Sequence, residues 1–256
     1  MKQKIITGLM LVGVFLPILY YGGWLFKIAV FVFSIIGGLE ITNLFKDKWP
    51  NEMDFFVIVT ILILPLLTSR FFLVGMVSIL LFLFLLTVYF EWFDVVDATI
   101  LFTLLMIITL SVKGVNTVST YGSLAILYVA VSTYVTDTAA YFTGMFFGKH
   151  KLAPRISPNK TIEGAIGGWI ISSGVSFLYA IYVIPNRFPM ELIIIASVLM
   201  PLISQLGDLA FSSFKRHFKV KDFGHLFPSH GGVLDRIDSL LFNFMFFYTL
   251  LATMII

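Results

Sequence analysis

The chain has 256 residues, of which 59% are hydrophobic and only 12% charged, and its mean hydropathy is +1.00. About a quarter of the residues of a soluble domain are charged, so this composition excludes a water-soluble fold and requires a bilayer as solvent. The absence of cysteine excludes disulfides and thiolate metal sites, and a net charge of +3 with no long Lys/Arg block excludes a nucleic-acid-binding arm.

A membrane span needs about 20 mostly apolar residues. Nine stretches qualify in chain order: 5–22, 24–43, 54–70, 71–90, 98–114, 121–147, 164–184, 190–211 and 234–255. The first reads as a retained helix, because it lacks a convincing small-residue cleavage site. The third and fourth read as a tight hairpin turning at Ser69-Arg70. The sequence therefore predicts an all-α, polytopic membrane protein of about nine spans. It forms a single domain over 1–256, with N-terminal spans in 1–120 and the chemistry in 121–256. With the N-terminus in the cytoplasm, thirteen of the 17 Lys and Arg residues lie inside, against Lys27, Arg70, Lys113 and Arg187 outside. That asymmetry is the positive-inside signature.

Ionisable residues within spans are expensive and are candidates for function by default. Asp137 lies well inside the sixth span and shares a helix face with Tyr141, Gly144 and Gly148. An acid simply hydrogen-bonded inside the bundle is the alternative. The next loop, GKHKLAPRISPNKTIEGAIGG, holds Pro154 and Pro158, which forbid a regular helix. Thr161 is placed to cap the seventh span, with Glu163 in its first turn. Gly164, Gly167 and Gly168 permit close helix approach. Lys160 beside a helix start suits a phosphate, although an ordinary basic loop has the same composition. On the eighth span Ser204, Asp208 and Ser212 form a polar stripe, with Gln205 beside it.

The densest polar run is KRHFKVKDFGHLFPSHGGVLDRID, from Lys215 to Asp238. Lys215, Arg216, Lys219 and Lys221 crowd together, then Pro228, Gly231 and Gly232 mark a turn. Asp235 and Asp238 follow on one helix face. Acids hold Mg²⁺, cations neutralise phosphate oxygens, and glycines let amides reach an anion. Salt bridges at headgroup level are the alternative, and they explain the lysines better than the two acids. His230 is placed either as an acid–base group or as a turn cap.

The segment Ser212–Asp238 resembles the signature of the phosphatidate cytidylyltransferases, also called CDP-diacylglycerol synthases. It meets that pattern at Ser212, Phe214, Lys215, Arg216, Lys221, Asp222, Gly224, Phe227, Pro228, His230, Gly231, Gly232, Val233, Asp235, Arg236, Ile237 and Asp238. Upstream, SPNKTIEG resembles a second family loop through Ser157, Pro158, Lys160, Thr161 and Gly164. The resemblance implies that CTP and phosphatidic acid give CDP-diacylglycerol and pyrophosphate. It also implies Mg²⁺, with room for a second monovalent or divalent cation, and a homodimer in the cell inner membrane with its active site facing the cytoplasm. It carries metal binding to Asp208, Asp235 and Asp238. Active-site roles fall to Lys215, Arg216, Lys221, Asp222, His230 and Arg236, with His230 and Asp222 shaping the site. Substrate contacts fall to Ser157, Lys160, Thr161, Gly231, Gly232 and Asp137. Three other readings stay open: a transporter for a phosphorylated solute or cation, a CTP-using enzyme of another lipid such as a polyprenol, and a bare membrane scaffold.

Overall fold

A computed structural model of the chain describes residues 17–18, 23–227 and 231–255. The predicted span 5–22 lies almost wholly outside the described residues, as do Pro228 and His230. Eight helices are described: α1 (Gly23–Asn43), α2 (Glu52–Ile63), α3 (Ser69–Tyr89), α4 (Val95–Ser119), α5 (Ser123–Phe147), α6 (Ile162–Val183), α7 (Met190–His217) and α8 (Leu234–Met254). Among the described residues, seven of them are long and apolar enough to cross a membrane. The protein is an all-α, multi-pass membrane protein.

The exception is α2, which corrects the expected third span. It has 12 residues, then tightens into a 3-10 turn at Leu64–Leu66. A 12-residue helix is about 18 Å long, well short of the roughly 30 Å hydrocarbon core. Pro65 supplies no N–H and cannot continue the helix. The expected turn at Ser69-Arg70 is displaced: those two residues already begin α3, and the chain reverses just before them, extended through Leu67 and Thr68.

The chain divides into two compact units. The first comprises Met1–Lys113 and Asp222–Arg236, the second Gly114–Lys221 and Ile237–Ile256. In the first unit α1 packs closely on α2, where a side chain at Gly38 would meet Ile61 and Val57. Leu64, Phe72 and Met76 form a buried cluster beside the 3-10 turn. The break in that hairpin leaves a carbonyl without a helical donor. The ammonium of Lys113, from α4, donates to Leu67 O and lies over the Phe72 ring. That pairing explains a buried lysine in an apolar helix. Beyond α1, Phe45 stacks on Trp49, whose indole N–H donates to Asp97 (3.3 Å). Lys48 pairs with both Asp94 (2.8 Å) and Asp97 (2.7 Å). The Lys48 hydrogen bond holds the Asp94 carboxyl below its ordinary value.

In the second unit, small residues bring α5 and α6 together. A Cβ on Gly164 would lie 2.7 Å from Ala140 O, and one on Gly168 would lie 2.9 Å from Thr136 O. The expected close approach is therefore realised backbone on backbone. Buried hydroxyls and amides tie the remaining helices. Tyr128 and Ser197 share a hydrogen bond (2.7 Å) and Asn243 Nδ2 donates to Thr133 (2.8 Å), while the more exposed Trp169 indole donates to Val198 O (2.9 Å), near Pro201 in α7. The segment between α5 and α6, expected only as a non-helical loop, is a small antiparallel hairpin. Strand β1 (Lys151–Ala153) pairs with β2 (Ser157–Thr161), with Lys151 opposite Thr161 and Ala153 opposite Ser157.

Candidate active site

The second unit gathers acids from three helices and a lysine from the hairpin. Asp137 is on α5, Asp208 on α7, Asp238 on α8 and Lys160 on β2. Lys160 Nζ forms an ion pair with Asp208, and both side chains are only partly covered. The charges of Asp208 and Lys160 act on Asp137, while those of Asp208, Lys215 and Asp137 act on Asp238. These residues therefore form one electrostatic cluster. Asp137 is exposed along a membrane helix, and a carboxylate there belongs in a polar, water-filled recess rather than against lipid.

Local sequence explains how the cluster is positioned. Thr161 ends β2 in extended geometry, and its hydroxyl accepts from Gly164 N (3.1 Å), the expected N-cap. Glu163, in the first turn of α6, accepts the amides of Lys149 (3.0 Å) and His150 (3.1 Å) and meets the His150 ring (2.6 Å). The hairpin is thus clamped at the helix start, which presents Lys160 beside it. On α7, Gly207 allows α8 to approach, since a Cβ there would lie 2.9 Å from Phe242 Cβ. Phe242 is one turn beyond Asp238, so the glycine beside Asp208 sets the spacing of these two acids. Gln205 donates to Ala165 O (3.0 Å) and fixes the same stretch of α7 against α6. Ser212 donates to Asp208 at 3.4 Å.

The end of α7 presents the cations. The helix closes at His217, with Lys219 in the left-handed region (φ 56°), Val220 N bonded to Lys215 O (2.9 Å) and Lys219 N bonded to Arg216 O (3.2 Å). This pair of bonds is the Schellman closure, with lysine at the position glycine usually takes. Arg216 Nε reaches Ile156 O of the hairpin (3.3 Å). Lys221 is exposed.

The first unit holds the other part of the signature. Gly232 N (2.9 Å) and Phe223 N (2.7 Å) both donate to the Asp235 carboxylate. Val233 N (2.7 Å) and Leu234 N (2.8 Å) donate to the two oxygens of Glu40, from α1. Of these donors only Gly232 is a glycine, and the anion its amide reaches is the Asp235 carboxylate of the protein itself. Gly231 has φ 79°, and a Cβ on it would crowd Asp235 Oδ2 at 2.8 Å. Asp222 lies beside Gly231, and Arg236 is exposed. Sequence reasoning missed Glu40, although a lone acid in the apolar run IIGGLEITN was a sufficient signal.

The oxygen donors of Asp208 and Asp238 suit a hard divalent cation. Among the described residues, however, no three His, Asp or Glu side chains are gathered to hold a metal ion alone. Mg²⁺ commonly keeps several waters and uses one or two carboxylates with substrate phosphates. The donor set fits that mode and not a closed protein cage.

Known proteins resemble the chain along almost its whole length. A family description, "Cytidylyltransferase family", matches residues 2–254. The chain is 34% identical over 249 residues to the phosphatidate cytidylyltransferase of Staphylococcus haemolyticus, covering 94% of this chain and 95% of that one. It is 33% identical over 264 residues to the phosphatidate cytidylyltransferase of Bacillus subtilis, covering 98% of each. With a match running almost end to end over a membrane bundle that carries clustered acids and lysines, the chain belongs to the cytidylyltransferase family and is a membrane-embedded nucleotidyltransferase.

Proposed function

We propose that this enzyme transfers CMP from CTP to phosphatidic acid, releasing pyrophosphate and forming CDP-diacylglycerol for phospholipid synthesis. The observation that carries the reading is the cluster of Asp137, Asp208, Asp238, Lys160 and Lys215 in the second unit. A phosphatidate oxygen is already anionic at neutral pH, so it needs no strong general base to attack the α-phosphorus of CTP. The obstacle is bringing two polyanions together.

Lys160, Lys215, Arg216 and Lys221 lower that obstacle by neutralising phosphate oxygens. Two unit charges about 4 Å apart interact by roughly 4 kcal/mol at an effective dielectric near 20. Contacts that tighten as charge moves onto the leaving pyrophosphate raise the rate. Asp208 and Asp238 would hold Mg²⁺, with room for a second cation, and the metal when bound would draw charge from the triphosphate. Lys160 would then exchange its Asp208 partner for substrate phosphate. Ser157 and Thr161 flank Lys160 on β2 and support its placement. Asp235, expected as a third metal ligand, accepts the amides of Phe223 and Gly232 on one oxygen, so we assign it with the Gly231-Gly232 turn to ordering the start of α8; Asp222, His230 and Arg236 belong to the same signature. The acyl chains remain in the bilayer throughout, which is the reason to place the site among membrane helices. The polar loops α5–α6 and α7–α8 fall on one side of the membrane by alternation of spans, and their lysines assign that side to the cytoplasm. A homodimer completes the proposal.

The test uses purified protein in vesicles sorted by orientation. CTP does not cross a bilayer, so added CTP, phosphatidate and Mg²⁺ should yield pyrophosphate only when the α5–α6 loop faces outward. EDTA should abolish turnover and excess Mg²⁺ restore it. Equal activity in the opposite orientation would refute the topology. Activity unaffected by EDTA would refute the metal role. No turnover in either orientation would refute the choice of substrates.

A further inference from the structure

Glu40 is buried, with 5% of its surface accessible, and belongs to the same unit as the glycine-rich turn. A buried carboxylate must be compensated, and this one is compensated by two backbone amides, Val233 N on Oε1 and Leu234 N on Oε2. The donors lie 193 and 194 residues away in sequence. Leu234 N is the first amide of α8 and Val233 N the one just before it, and a helix cannot satisfy amides at its start internally. Gly232 N, the amide just before them, goes to Asp235. Three successive amides therefore end on two acids. The fit is close on the other side as well, because a Cβ on Gly224 would lie 2.6 Å from Glu40 Oε1 and one on Gly232 would overlap the carboxylate. Two glycines of the signature are thus explained by one acid that lies far outside it.

We propose that Glu40 is a positioning residue of the active site. It is a tertiary N-cap that fixes the start of α8, the helix that carries Asp235 and Asp238. A negative charge at a helix N-terminus is also favoured by the helix dipole. Packing alone would accept glutamine, which has nearly the same shape. Capping rejects it, because one of the two amides would then face an NH₂ donor in place of an acceptor. Aspartate keeps both acceptors and the charge, at a reach shorter by one methylene.

The experiment compares Glu40→Gln, Glu40→Asp and the unaltered full chain in detergent by amide hydrogen exchange and by turnover. The turnover arm rests on the proposed function, whereas the exchange arm does not. The expected result is exchange at least ~10-fold faster in Glu40→Gln, confined to peptides spanning 222–238. Turnover should fall ~10- to 100-fold, the range seen when groups that orient metal-binding ligands are removed. Glu40→Asp should be milder on both counts. Three outcomes would overturn the proposal: Glu40→Gln matching the unaltered chain, Glu40→Gln milder than Glu40→Asp, or exchange rising uniformly along the chain. If Glu40→Gln does not fold, Glu40→Asp carries the test, with locally raised exchange supporting the cap and uniformly raised exchange overturning it. If the unaltered chain turns over no CTP, the functional reading fails and the exchange pattern alone decides whether Glu40 caps α8.

Discussion

In the proposed reaction Lys160 serves two states. With Asp208 as its partner it is an ion pair whose side chains are 27% and 29% exposed. Its value lies in being a cation poised beside an acid that would take a metal. Replacing it with methionine keeps the length and removes the charge. The expected result is a kcat/KM for CTP lowered ~10- to 100-fold, equivalent to about 1.5–3 kcal/mol for one charged hydrogen bond, with an unfolding temperature close to that of the unaltered protein. An unchanged kcat/KM would show that Lys160 is only the partner of Asp208. The residue itself is legible in the sequence, since a lysine within SPNKT at a predicted helix start suggests an anion site. Its ion pair with Asp208 is not, because 48 residues and a returning helix separate the two.

At the scale of elements, the α5–α6 seam is the clearest consequence of composition. Gly164 and Gly168 are needed where they stand because backbone carbonyls of α5 occupy the space their side chains would fill. Gly168→Leu should push the helices apart at Thr136, one residue from Asp137. The expected outcome is a lowered unfolding temperature in detergent and a loss of most turnover, against a smaller effect for the nearby exposed Ile170→Leu. A variant as stable and active as the unaltered chain would show that the helices tolerate separation. The same scale contains the one span that hydropathy misplaces among the described residues. Residues 54–70 are apolar enough to cross, and hydropathy counts only that. The break depends on Pro65 and on Lys113 satisfying a carbonyl from a different helix, a tertiary contact that no local window contains. The hairpin Lys151–Thr161 escapes for a similar reason. Its two prolines exclude a helix, but its pairing depends on being clamped at both ends by Glu163 and His150.

For the whole molecule, hydropathy is enough to establish a multi-pass helical protein, because in a bilayer every backbone group must be satisfied within a helix or a closed barrel. The cluster of polar groups in the second half is legible as a dense signature. The contribution of the first half is not, because Glu40 acquires meaning only when α8 begins against it. The central claim is that the chain moves the CMP portion of CTP, and not its terminal phosphate, onto a lipid phosphate. The most direct test is to supply phosphatidate with CTP labelled either at the α- or at the γ-phosphate and to extract the lipid. The account predicts that α-label enters the lipid phase while γ-label stays in water as pyrophosphate. Label entering the lipid from the γ-position, or from neither, would contradict it.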